Sequence, residues 1–68
     1  MMKHFVEQFG DCFWTVIDEM IEDIEEAGYE VLDANDEYLV IDEDEDIEFL
    51  VYLGRANRTI WIGSVIAK

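Results

Sequence analysis

Residues 47–67 read IEFLVYLGRANRTIWIGSVIA, and this stretch decides the fold. Apolar and polar positions alternate with a period of two, and β-branched and aromatic residues dominate. Both are marks of strands. Two strands are expected, over residues 47–54 and 59–67, joined by a hairpin turn around Ala56-Asn57. That turn sets Leu53 opposite Ile60, Val51 opposite Ile62, Phe49 opposite Ser64 and Ile47 opposite Ile66. These eight residues then share one face of the sheet.

The same period extends backward to Tyr29. Strands are expected over residues 29–34 and 37–42, with a tight turn at Asn35-Asp36, since both residue types tolerate positive φ. Leu32, Leu39 and Ile41 extend the face set by the second hairpin. The opposite face collects Val31, Tyr38, Val40, Leu50, Tyr52, Trp61 and Val65, with Tyr52 beside Trp61. Either that face is partly covered by Trp14 or a chain end, or it is a homodimer or partner surface built on Leu50, Tyr52 and Trp61.

Upstream of Tyr29 the period changes to that of a helix. Phe5, Phe9, Phe13, Val16, Met20, Ile24 and Ala27 recur at steps of three or four, widened by Cys12, Ile17 and Ile21. One amphipathic helix over residues 4–27 is expected. Gly10 lies off its stripe and is a candidate break, with Asp11 capping a second helix, but the apolar phase does not shift across it, so continuity is expected. Gly28 is the stop signal. The predicted fold is α+β: one N-terminal amphipathic helix packed on a four-stranded antiparallel sheet, in a single domain over residues 1–68.

At 68 residues and 51% hydrophobic content the chain has enough apolar surface to fold. It carries 18 Asp and Glu against 4 Lys and Arg, a net charge of −14. That charge argues against direct binding to nucleic acid or to an anionic membrane. No apolar run has the length of a membrane span, and no signal peptide is legible at the N-terminus. A single cysteine allows no internal disulfide, which points to the cytoplasm.

Little in the sequence suggests catalysis. His4 and Cys12, the lone histidine and cysteine, would sit about 12 Å apart along a helix, too far for a dyad. No phosphate loop, nucleophile elbow, zinc spacing or cofactor motif is present. Asp42, Asp44 and Asp46 start like a calcium loop. However, Ile47 stands where glycine must turn and Leu53 where a bidentate glutamate belongs, so no metal site is expected.

All 18 acids fall between Glu7 and Glu48, with no cation between Lys3 and Arg55. On the helix, Glu7, Asp11, Asp18, Glu19, Glu22, Asp23, Glu25 and Glu26 give one charge per ~3.5 Å, close to the ~3.4 Å spacing along one DNA strand. Asp42, Glu43, Asp44, Glu45 and Asp46 form a second cluster between the hairpins. A solvated or salt-tolerant surface has this character, and so does an imitation of nucleic-acid phosphates. The expected partner-binding residues are Asp18, Glu19, Glu22, Asp23, Glu25 and Glu26 with the second cluster. The expected partner is the basic surface of a nucleic-acid-binding protein.

In size, acidity and helix-plus-sheet layout the chain resembles two classes. One is the small phage-encoded inhibitors of host defence, including anti-CRISPR proteins and other DNA mimics. The other is the bacterial immunity proteins that cap cationic nuclease toxins. The first resemblance implies a non-catalytic inhibitor acting in the host cytoplasm, and the second an antitoxin. A dimeric structural or regulatory protein joined through its apolar sheet face is the third expectation.

Overall fold

A computed structural model describes residues 2–44 and 47–68. The elements run α1 (Met2–Phe9), α2 (Ile17–Glu26), β1 (Glu30–Ala34), β2 (Tyr38–Asp44), β3 (Ile47–Ala56) and β4 (Thr59–Ala67). The strands form one antiparallel sheet in the order β1-β2-β3-β4. Both helices pack on the same face, α2 toward β1 and α1 toward β4. The fold is α+β with a four-stranded antiparallel sheet, as the period change at Tyr29 predicts.

The helical layer differs from the expected single helix. Gly10 donates its N–H to the Val6 carbonyl at 2.7 Å, and Cys12 donates to Phe9 at 3.0 Å. The chain then straightens. Trp14 makes a two-way backbone bridge with Ile60 of β4, with bonds of 2.9 and 2.7 Å. This bridge competes with a continuous helix. It buries Trp14 and turns Phe13 out to 69% exposure, and Val16 is exposed too, although the spacing places both on the helical stripe. A Cβ on Gly10 would lie 2.5 Å from the Val6 carbonyl oxygen, so the exit from α1 uses a residue without one.

No side chain caps α2 at its start, where Val16 is extended. Its end is a Schellman motif: Gly28 N–H bonds Glu25 O at 3.0 Å and Tyr29 N–H reaches Ile24 O at 3.4 Å. Gly28 adopts φ +101°, a conformation glycine reaches without a Cβ penalty. The expected stop signal therefore works through its backbone.

The β3–β4 hairpin turns one residue later than the spacing suggests. Ala56 pairs with Thr59, and Asn57 and Arg58 take φ 51° and 66°, as a type I′ turn requires. Moving the turn by one residue moves the register by two. Leu53 therefore faces Ile62, not Ile60. A bulge at Gly63 then shifts the register once more, so Tyr52 pairs with Ser64, Val51 with Val65, Leu50 with Ile66 and Phe49 with Ala67. An odd shift flips faces. Val65 consequently packs against the core and Ile66 points away from it, the reverse of the expected assignment. Ile47 lies opposite Asp44 of β2.

A second bulge, between Val31 and Asp33, does the same in β1. Val31 pairs with Ile41 and packs on the core, while Leu32 is exposed. The first hairpin does not use positive φ at Asn35-Asp36. Instead the Asn35 side-chain oxygen accepts the N–H groups of Glu37 (2.7 Å) and Tyr38 (2.9 Å). An asparagine side chain here replaces the mirror-image backbone turn.

The core lies between the layers: Phe5, Phe9, Trp14, Met20, Ile24, Leu39, Ile41, Phe49, Val51 and Ile60. Phe5 is its hub, with ring centroids 5.2 Å from Phe9, 5.3 Å from Tyr29 and 5.1 Å from Phe49. Tilted and edge-on contacts of this kind add to the burial of the rings themselves.

Candidate partner-binding surfaces

The helix α2 presents its acids to solvent because its apolar positions are committed to the sheet. Met20 and Ile24 are buried and Ile17 and Ile21 half-buried, leaving Asp18, Glu19, Glu22, Asp23, Glu25 and Glu26 on the outer surface. These six do not have equal standing. Asp18 and Glu19 lie in the first turn, where the helix dipole favours negative charge. Asp23 accepts the buried Trp14 indole N–H through Oδ2 at 2.7 Å, a charge-assisted bond that ties the segment between the helices to α2. Three of the expected binding acids thus already serve the fold.

Glu22, Glu25 and Glu26 are different. Glu25 and Glu26 occupy the last turn, where the dipole disfavours an anion and no basic residue offsets them. Glu22 and Glu26 are like charges four residues apart. Among the described residues no hydrogen bond or ion pair involves these three carboxylates.

The second cluster is distributed differently from expectation. Asp42, Glu43 and Asp44 belong to β2 rather than to a connection, and Glu45 and Asp46 lie outside the described residues. Strand alternation sends neighbours to opposite faces. Asp42 pairs with Glu30 and Glu48 on the face away from the helices. Glu43 takes the helix side and raises the pKa of Tyr29 above 10.0, secondary to the desolvation of the Tyr29 hydroxyl. The acids of α2 and those around Asp42 therefore face different directions. Lys68 pairs with Glu48 at 3.3 Å, and Arg55 donates to the Asp36 carbonyl at 3.0 Å.

The outward sheet face carries the other expected surface, in rows that the bulges rearrange. Glu30, Asp42 and Glu48 form an acidic row at one end. Val40, Leu50 and Ile66 form the next row, then Tyr38 and Tyr52, whose rings meet edge-on at 5.8 Å. Trp61 ends the face, opposite Gly54 rather than beside Tyr52. Its indole lies over Gly54, where any Cβ would collide with it. Phe13 joins it at 6.5 Å, an addition the helical stripe had hidden. Exposure reaches 37% at Tyr52 and 50% at Ile66. Trp14 does not cover this face, because its ring is in the core.

Cys12 is half-buried against the core, and His4 is exposed eight residues earlier on another part of the helical layer. Among the described residues no group of three or more His, Cys, Asp or Glu is disposed to hold a metal ion, and no helix is long and apolar enough to cross a membrane. Comparison with protein-family models, curated proteins and solved structures finds no match to this chain.

Proposed function

We propose that this chain is a small, non-catalytic inhibitor that presents carboxylates to the basic groove of a nucleic-acid-binding protein in the cytoplasm, as phage-encoded anti-CRISPR proteins and other DNA mimics do. The observation that carries this reading is the set Glu22, Glu25 and Glu26. They sit at the wrong end of α2 for the helix dipole, repel one another, and take part in no described contact. A fold selected for stability alone would place cations there. A basic partner would supply them, above all through arginine, which grips a carboxylate with two parallel hydrogen bonds.

The test reverses Glu22, Glu25 and Glu26 to lysine and leaves Asp23 intact, because Asp23 holds Trp14. Capture of nucleic-acid-binding proteins from a host lysate, followed by titration, should show affinity falling by more than about tenfold, the loss of several charge-assisted bonds. Binding should weaken with salt, and DNA or RNA should compete. Retained affinity in this triple variant, with loss in Tyr52→Ala or Trp61→Ala, would transfer recognition to the outward sheet face and overturn the mimicry reading.

A further inference from the structure

Strand β4 is unlike every other element of the molecule. From Thr59 to Ala67 it carries no charged residue, in a chain of net charge −14. It is also an edge strand. Among the described residues its outer side is bonded only at Ile60, which exchanges both backbone bonds with Trp14. Beyond Ile60, among the described residues, the outer edge of residues 62–67 has no backbone partner.

Edge strands ordinarily block further pairing with charges, proline or a cover. The opposite edge does so: β1 is short, bulged and carries Glu30 and Asp33. Over residues 62–67 the outer edge of β4 carries no charge and no proline, and the bulge at Gly63 is the one such device there. Most acids of the described residues lie away from this edge, on α2, β1, the turn to β2, β2 and the start of β3. Glu7 on α1 and Asp11 just after it are the exceptions, so two copies meet here with few acids set against one another.

We infer that a second copy of this chain pairs with the first, antiparallel, along residues 62–67 of β4. A closed two-fold interface makes the two strands antiparallel and joins the sheets into one of eight strands. The paired stretch spans about 20 Å at ~3.4 Å per residue. Ser64 falls near the two-fold axis, with Ile66 of each copy beside it on the outward face.

This pairing has an electrostatic signature opposite to that of the proposed target binding. Bringing together two chains of like charge is favoured by screening, so dimerisation tightens with salt, whereas binding to a basic groove weakens. Sedimentation from micromolar to submillimolar concentration, at low and high salt, reads this directly. A monomer–dimer equilibrium is expected, with its dissociation constant falling as salt rises. Ile66→Glu, at an exposed position outside the core, should raise that constant about tenfold by putting a charge on an edge that otherwise has none. In a Cys12→Ser background, Ser64→Cys should cross-link copies on mild oxidation, and Asn57→Cys at the far turn should not.

A monomer at every concentration and salt level would overturn the inference. So would a dimer indifferent to Ile66→Glu but dissolved by Phe13→Glu, which would place the contact at the aromatic end of the sheet face. Because the readout is self-association alone, its failure leaves the mimicry test untouched.

Discussion

Asp23 shows how one acid in a run of acids can differ from its neighbours. Sequence spacing groups it with Glu22, Glu25 and Glu26, yet its Oδ2 is the acceptor for the buried Trp14 indole. Asp23→Ala leaves that N–H without a partner, at a cost of about 1–3 kcal/mol. Urea unfolding should show this loss, a smaller one for Asp23→Asn, and none for Glu22→Gln. Tyr29 makes a second residue-scale prediction. Desolvation, and then the Glu43 charge, hold its pKa above 10.0 in the folded chain. The folded state therefore binds the phenolic proton more tightly than the unfolded state. That advantage is complete below pH 10 and is lost as pH rises through the folded-state value. Melting temperature should drop in strongly alkaline buffer, and Tyr29→Phe should blunt the drop.

At the scale of elements, what could be read from the sequence was whatever depends on period. The change at Tyr29 gave the α+β class and four strands, and Gly28 gave the end of α2. Three features depend on something else. The break after α1 falls at Gly10, a weak local signal, and is held by the Trp14–Ile60 bridge, a contact between residues 46 apart that no local pattern announces. The hairpin register follows Asn57-Arg58, although arginine is an uncommon choice for a left-handed position. The face reversal at Val65 and Ile66 follows the bulge, for which Gly63 inside a strand pattern was the one available signal. Arg58 therefore bears conformational strain that glycine would relieve. Arg58→Gly should stabilise the chain by about 0.5–1 kcal/mol, the left-handed penalty less the entropy of a more flexible unfolded chain. Denaturant midpoints at high salt, where the lost cation matters least, are the measurement.

Across the whole molecule the acids divide by cost. Asp18, Glu19 and Asp23 contribute to the fold, while Glu22, Glu25 and Glu26 oppose it. The exposed Lys68–Glu48 pair contributes little, as surface ion pairs generally do. The molecule thus has much like-charge repulsion to relieve and little attraction to lose. Its melting temperature should rise steadily with sodium chloride. A fall would mean that attractive pairs dominate. The surface character behind this behaviour was legible from the sequence as charge. Its division between α2 and the outward sheet face was not, because it follows from strand alternation along β2 and from two bulges.

The placement of the two indoles gives the protein built-in optical reporters. Trp14 lies in the core with its N–H held by a carboxylate, and Trp61 lies half-covered over Gly54 on the opposite side of the sheet. Acrylamide, a neutral quencher, should extinguish the emission of Trp61 and spare that of Trp14. A ligand on the outward face would shield the first emission, and opening of the helical layer would expose the second. One fluorescence trace can therefore separate an event at the surface from an event in the interior.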